Sequence, residues 1–184
     1  MKNTRTFIVL AVAILSGLMA VILASRWLNH HQRIVRVMPN TPALVLAGVS
    51  GLYALPEVSI EDRKTAASIL SAVGETVWVE KETDIDTVTA VSGSGPAYVF
   101  YFIEALEQAG REMGLSAAAA KQLALATFTG ASKLAAQSSE EAAVLRARVT
   151  SKGGTTERAL ASMDSAQVKA AIIRAVKAAA ARSR

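Results

Sequence analysis

The amino-acid sequence predicts a mainly α protein, with one N-terminal apolar helix and a partial α/β layer ahead of a helical domain. Alanine supplies much of a 52% hydrophobic content while aromatics make up 5%, which favours closely packed helices over a sandwich rich in Val and Tyr. Strand-like patterning is confined to residues 33–79, and from Asp84 onward the β signals vanish. An uncharged apolar run near the N-terminus stands apart from both. At 184 residues the chain is long enough for one domain of ordinary size with one core.

Residues Phe7 to Ala24 read FIVLAVAILSGLMAVILA, with Lys2 and Arg5 before them and Arg26 after. A helix of about 18 uncharged residues can cross a bilayer core. A cleaved signal peptide is the rival, yet the run is long for one and Ile22-Leu23-Ala24 is a poor small-x-small cleavage site. Being apolar on every face, the segment does not pattern as an amphipathic core helix. The expectation is an uncleaved single-pass membrane anchor over residues 7–24, with residues 1–32 forming anchor and linker. His30 and His31 follow it; adjacent, they lack the i, i+4 spacing of a helical metal pair and read as solvated linker residues. Cysteine is absent, which excludes disulfides, thiolate catalysis and Cys-ligated zinc, and no metal site is expected.

Arg33-Ile34-Val35-Arg36-Val37-Met38 alternates like a strand and stops at Pro39, where Asn40-Thr41-Pro42 supplies turn chemistry. A second apolar segment, Val45 to Tyr53, is broken by Gly48 and Gly51. A helix over about Ser59–Val73 follows, with Gly74 as its C-cap, then a short strand Thr76–Val79. These make residues 33–90 a residual α/β layer. Helices then read over about 84–90, 94–113, 116–136, 139–148, 155–163 and 165–182. Gly114, Ser116, Ser139 and Ser165 lie where stops and caps belong, and Glu140-Glu141 place negative charge in a first turn. In the last helix Val168, Ile172, Ala175, Val176 and Ala179 share one face. Between Leu123 and Leu134, alanines with Thr129 and Gly130 sit on several faces, which suits interlocked subunits or a tight monomeric bundle.

The net charge of +5 collects near the N-terminal segment (Lys2, Arg5, Arg26, Arg33, Arg36) and at the end (Arg174, Lys177, Arg182, Arg184). No helix interleaves a basic face with base-reading side chains or stacking aromatics, so no nucleic-acid partner is expected.

Two glycine-hydroxyl clusters carry the chemistry. Ser92-Gly93-Ser94-Gly95-Pro96-Ala97-Tyr98 offers a Gly-x-Gly but puts Tyr98 at the third position of a dinucleotide fingerprint, without a strong βαβ unit around it. It reads instead as a loop entering a helix, with Ser94 near the N-cap and Pro96 in the first turn; capping explains Ser and Pro but leaves two glycines surplus. Thr150-Ser151-Lys152-Gly153-Gly154-Thr155-Thr156 joins two helices. Its glycines let successive N–H groups converge at a helix N-terminus, with Lys152 adding positive charge and Ser151, Thr155 and Thr156 adding hydroxyl donors. That arrangement suits a carboxylate, and equally an ordinary capped inter-helix turn.

With Arg36-Val37-Met38-Pro39-Asn40-Thr41-Pro42 upstream, these clusters resemble, in order and spacing over about residues 33–184, the C-terminal half of pyrroline-5-carboxylate reductase. The resemblance implies a helical dimerisation domain of the 6-phosphogluconate-dehydrogenase C-terminal-like type over residues 91–184, preceded by a truncated Rossmann layer. It implies NAD(P)H-dependent reduction of 1-pyrroline-5-carboxylate to L-proline, NADP or NAD as cofactor, a homodimer or higher homo-oligomer, and a cytoplasmic setting that contrasts with single-pass inner-membrane anchoring. Ser151, Gly153, Gly154 and Thr155 would hold the substrate carboxylate, and Thr156 would hydrogen-bond the ring nitrogen as the catalytic proton donor. Met38, Pro39, Asn40 and Thr41 would line the nicotinamide side. Ser92, Gly93, Ser94, Gly95 and Pro96 would lead into the helix flanking the substrate. Lys152 departs from the family, many members of which have Pro there. The glycine-rich first dinucleotide half has no counterpart in this sequence, from which impaired activity of the chain by itself is expected.

Two other readings stand beside this one: a non-catalytic, membrane-anchored helical dimerisation module, and a pilus-assembly subunit. The latter follows from the first thirty residues, MKNTR, the run with Ser16-Gly17-Leu18 and Ala24-Ser25-Arg26-Trp27-Leu28, which resemble the start of the CpaB family of Flp pilus assembly proteins.

Overall fold

The computed structural model describes residues 10–11, 26–27 and 29–183. The chain divides into two compact units, Met1–Pro96 with Ala175–Arg184, and Ala97–Arg174.

The first unit is built on a mixed four-stranded sheet in the order β1-β2-β3-β4. Strand β1 (Leu10–Ala11) runs parallel to β2 (Val35–Met38), β2 is antiparallel to β3 (Gly48–Ala54), and β3 is parallel to β4 (Gly74–Trp78). Leu10 and Ala11 correct the expected apolar helix at two of its residues. They pair with Val35 and Arg36, because the free edge of β2 offers a ladder of backbone donors and acceptors that an extended segment satisfies. The rest of residues 7–24 lies outside the described residues. Among the described residues, no helix is long and apolar enough to cross a membrane.

The alternation read in residues 33–38 corresponds to β2, whose Val35 and Val37 are buried with Leu52 and Ala54 of β3 and with Val58. Helix α1 (Ile60–Ser71) covers this core with Ala66 and Leu70. Each fully buried Val or Leu contributes roughly 1.5–3 kcal/mol relative to exposure. Ser59 caps α1 by accepting the Asp62 N–H at 3.1 Å. Gly74 is not the C-cap of this helix: Ala72 is, and Gly74 opens β4 with φ +150°. A Cβ there would collide with the Gly48 backbone across the ladder. Arg36, counted with the N-terminal positive charge, is buried and paired with Glu82 at 3.0 Å.

Past β4, helix α2 (Asp84–Val88) runs into a π turn at Thr89–Gly93, then α3 (Gly95–Glu112) begins. The expected break between two helices is therefore a nearly continuous helical path with one wide turn. Ser94 donates its N–H to Thr89 O at 2.8 Å, the i to i−5 bond that defines such a turn. Ser94 lies in αR geometry, which is helix-like and not the extended conformation of an N-cap, so the capped loop entry expected for Ser94 is not formed. Gly51 of β3 gives α2 its close approach, since a Cβ there would stand 2.5 Å from Val88 Cγ1. In the same unit Ser183 Oγ, near the chain end, donates to the buried Asp86 carboxylate at 2.9 Å.

The second unit consists of α3 from Ala97, α4 (Ala117–Gln137), α5 (Ala142–Arg148), α6 (Thr155–Ser165) and the start of α7 (Val168–Ser183). Ser116 caps α4 by accepting from Ala119 N, and Gly114 takes φ +98° at the end of α3, as their residue types demand. Ser139 and Ser165 are not caps: α5 is opened by Glu141, and Ser165 is the last residue of α6. Glu140 and Glu141 consequently precede the first turn of α5 instead of lying in it, and Glu140 pairs with Arg148 at 2.5 Å. Gly110 and Ala120 let α3 and α4 approach, with Ala120 and Ala124 buried. Large apolar side chains remain uncovered along these helices, Phe100, Leu123 and Ile173 among them.

Candidate functional site

In the first unit, β2 delivers Met38 and Pro39 to a turn that continues as a 3-10 helix over Thr41–Val45. Met38 lies against the π turn, where a Cβ on Gly93 would fall 2.7 Å from Met38 Cε. Asn40 is held at both ends of its amide. Its Oδ1 accepts the Val49 N–H at 2.9 Å, and its Nδ2 donates to the Ser92 carbonyl at 3.3 Å. Ser92 Oγ donates back to Val88 O at 3.0 Å. The unit thus brings together Met38, Asn40, Ser92 and Gly93 from two separated motifs. Gly95 and Pro96 open α3 beside them, and a Cβ on Gly95 would meet nothing within 4 Å.

A nicotinamide ring needs a flat, largely apolar wall with few competing hydrogen bonds. With both polar ends of Asn40 engaged, this turn presents the Met38 thioether, the Pro39 ring and the exposed Thr41 hydroxyl, a residue set that fits one face of such a ring.

The Thr150–Thr156 loop belongs to the second unit. Thr150 Oγ1 donates to Arg146 O at 2.7 Å, closing α5, and Gly154 N donates to Ser151 O at 3.0 Å. Gly153, at φ +74°, donates its N–H to Glu157 Oε2 at 2.7 Å. Gly154 is the N-cap of α6, and no side chain caps that N-terminus. Gly153 and Gly154 therefore spend their N–H groups inside the loop, and the donors left to face outward belong to the first turn of α6, beside the Thr155 and Thr156 hydroxyls. Such an end attracts an anion. Lys152 is exposed next to it.

Two participants escaped the sequence reading. Glu157 was legible as a first-turn acid three residues past the N-cap, the spacing of a reach-back capping bond. The π turn leaves no composition signal, because it is a shift of backbone hydrogen-bond register that no residue type spells out locally.

The family model described as pyrroline-5-carboxylate reductase dimerisation matches residues 82–184. The pyrroline-5-carboxylate reductase of Pseudomonas aeruginosa is 46% identical over 174 residues, 95% of this chain and 63% of that protein. That of Pasteurella multocida is 42% identical over 175 residues, again 95% and 63%. Among solved structures, the pyrroline-5-carboxylate reductase of Coxiella burnetii superposes with TM-score 0.85 at 41% identity, covering 88% of this chain and 60% of that one. The Plasmodium falciparum pyrroline carboxylate reductase with NADP bound gives TM-score 0.76 at 38% identity, covering 82% and 57%. The chain spans about six-tenths of the length of the curated relatives it matches.

Proposed function

The chain belongs to the pyrroline-5-carboxylate reductase family, and on that premise we propose that it takes part in the NAD(P)H-dependent reduction of 1-pyrroline-5-carboxylate to L-proline. The observation that carries the proposal is the uncapped N-terminus of α6 with Thr155 and Thr156 at its mouth. It lies inside the range matched by the family model and provides anion-directed donors next to a hydroxyl.

In this reading the first turn of α6 holds the substrate carboxylate, and Ser151, Gly153 and Gly154 give the loop its shape. The Thr156 hydroxyl donates a hydrogen bond to the ring nitrogen as it becomes an amine. Met38, Pro39, Asn40 and Thr41 wall the nicotinamide side, Asn40 held there by Val49 and Ser92, and Ser92 to Pro96 lead into the substrate-flanking helix. A reduced nicotinamide, when bound, supplies hydride to the C=N carbon. Because a protonated ring nitrogen is already electrophilic, the protein's part is positioning and one donated hydrogen bond, and no strong general base is needed. Residues 33–90 act as the residual dinucleotide-binding layer and residues 91–184 as the substrate and dimerisation domain. A second copy covers the apolar helix faces; their exposure in one chain and the dimerisation family match support this.

The apolar run of residues 7–24 belongs, in the same reading, to the family's common sequence and not to an appended anchor. An alignment over 174 of 184 residues leaves about ten outside it, so it takes in most of the run, and Leu10–Ala11 pair within the sheet. Carbonate extraction of membranes tests it: release of the chain is expected, and retention overturns the point.

The functional test uses the full chain, titrated with NADPH and followed by Trp fluorescence, then supplied with pyrroline-5-carboxylate. Saturable quenching with NADPH consumption is the expected result. No binding of NADPH and no binding of L-proline would refute the proposal.

A further inference from the structure

We propose that Asn40 is a positioning residue that splints the turn after β2 to the π turn before α3, supplying to Ser92 the hydrogen bond that Pro96 cannot give. The inference rests on the reading that Met38–Thr41 faces the nicotinamide. Ser92 lies near the end of the π turn, just before α3 begins at Gly95; a return to α register there, in which the carbonyl of residue i accepts the N–H of residue i+4, would give Ser92 O to residue 96. That residue is Pro96, which has no N–H. Asn40 Nδ2 donates to this carbonyl at 3.3 Å, from a turn 52 residues earlier in the chain.

The other end of the same amide fixes its orientation. Oδ1 accepts the Val49 N–H at 2.9 Å, and a flipped amide would set donor against donor at Val49 and acceptor against acceptor at Ser92. One side chain therefore joins three segments: the turn itself, the head of β3 and the π turn. Met38 and Gly93 touch next to this link, so the two segments meet at neighbouring points. One bond at each end of the amide goes to the protein backbone, which fixes the plane and direction of the remaining N–H and lone pair. The role of Asn40 is to transmit position: what seats on Met38–Thr41 sets the shape of Ser92–Gly95, and the reverse.

Amide hydrogen exchange and the Ser92 carbonyl ¹³C shift of the full chain test this in the wild type, Asn40→Asp, Asn40→Ala, Pro96→Ala and the Asn40→Ala/Pro96→Ala pair. Asn40→Asp keeps the acceptor for Val49 and loses the donor. It should leave the Val49 amide protected, move the Ser92 shift and raise exchange over residues 93–98 about threefold to tenfold, the range for one net hydrogen bond. Asn40→Ala should expose both sites. In the Pro96→Ala background the new N–H takes the Ser92 carbonyl, so adding Asn40→Ala should free Val49 alone. An unmoved Ser92 shift in Asn40→Asp, or equal loosening of residues 93–98 with and without Pro96, overturns the inference. Adding NADPH to the wild type separates the underlying reading: exchange should slow at residues 92–97 as well as at 38–41. No response to NADPH anywhere refutes the nicotinamide assignment, while the variant comparison still decides the splint.

Discussion

Gly153 donates its backbone N–H to the Glu157 carboxylate at 2.7 Å, a reach-back bond of the capping-box kind displaced by one position, since Gly154 is the N-cap. The bond pins a residue whose φ of +74° only glycine adopts without cost. It also uses up a donor that the anion-binding reading of the loop had left for the substrate.

Glu157→Ala should loosen this loop without unfolding α6, because the pair is exposed and surface caps carry only about 0.5–1 kcal/mol. The expected result is faster exchange of the Gly153 amide and weaker L-proline binding, each by about twofold to fivefold, with partial recovery in Glu157→Gln. Calorimetry with L-proline and exchange by NMR read the two effects separately. Tighter L-proline binding in Glu157→Ala would mean that the carboxylate competes with the ligand and does not hold the loop for it.

Gly51 and Gly93 should respond differently to alanine, although each is close to a neighbour. At Gly51 the added Cβ meets Val88 Cγ1 at 2.5 Å and Val88 Cβ at 3.2 Å, a β-branched side chain that cannot turn away. At Gly93 it meets the far end of Met38, which has three rotatable bonds. Gly51→Ala should cost about 1–3 kcal/mol in urea unfolding, the usual penalty of overpacking. Gly93→Ala should cost less than about 1 kcal/mol and show itself in NADPH affinity, because Met38 has to leave its place. Equal losses of stability would contradict the distinction.

Asp62 ties the start of α1 to the approach to β2. Its carboxylate accepts from Arg33 Nε at 2.9 Å, with Arg33 Nη2 a second donor, and from Ser59 Oγ at 2.8 Å. The Arg33 hydrogen bonds, then that of Ser59, hold its pKa below the ordinary 3.8, against the opposing effect of burial. A carboxylate depressed in the folded state stabilises at every pH above its unfolded value. That contribution fades as pH falls below about 3.8 and is gone once pH passes the lower folded value. Asp62→Asn should therefore narrow the stability gap between pH 6 and pH 3 in parallel thermal melts. An unchanged gap would refute the coupling.

The fold was legible where one residue type has one physical use. Ser116 caps a helix, alternation marked β2, and a single apolar face marked α7. The errors have a common cause: local patterns were read without the neighbour that overrides them. Gly74 looked like a helix stop, but Gly48 across the ladder is what requires a glycine there. Leu10 and Ala11 sat in a run fit for a bilayer, and the unpaired edge of β2 drew them into a sheet. At the candidate site the hydroxyl and glycine clusters were visible. The junction of Asn40 with Ser92 was not, because a hydrogen bond spanning 52 residues leaves no trace in local spacing.

Thr156 is where the proposed chemistry and the observed loop are most open to separation. It is half-buried at the second position of α6, so its N–H belongs to the uncapped first turn and its hydroxyl is a donor independent of that N–H. Thr156→Val removes only the hydroxyl and keeps the shape, leaving the backbone contribution to anion binding intact. If the hydroxyl donates to the ring nitrogen as hydride arrives, its bond strengthens toward the transition state, and kcat should fall about 10- to 100-fold with a smaller change in KM. Thr155→Val should show the opposite split, because an exposed hydroxyl beside a carboxylate contributes to binding in ground and transition states alike. L-Proline affinity, free of the hydride step, should drop for Thr155→Val and hold within about twofold for Thr156→Val. Identical profiles for the two variants would mean that both hydroxyls serve the carboxylate and that the ring nitrogen finds its donor elsewhere.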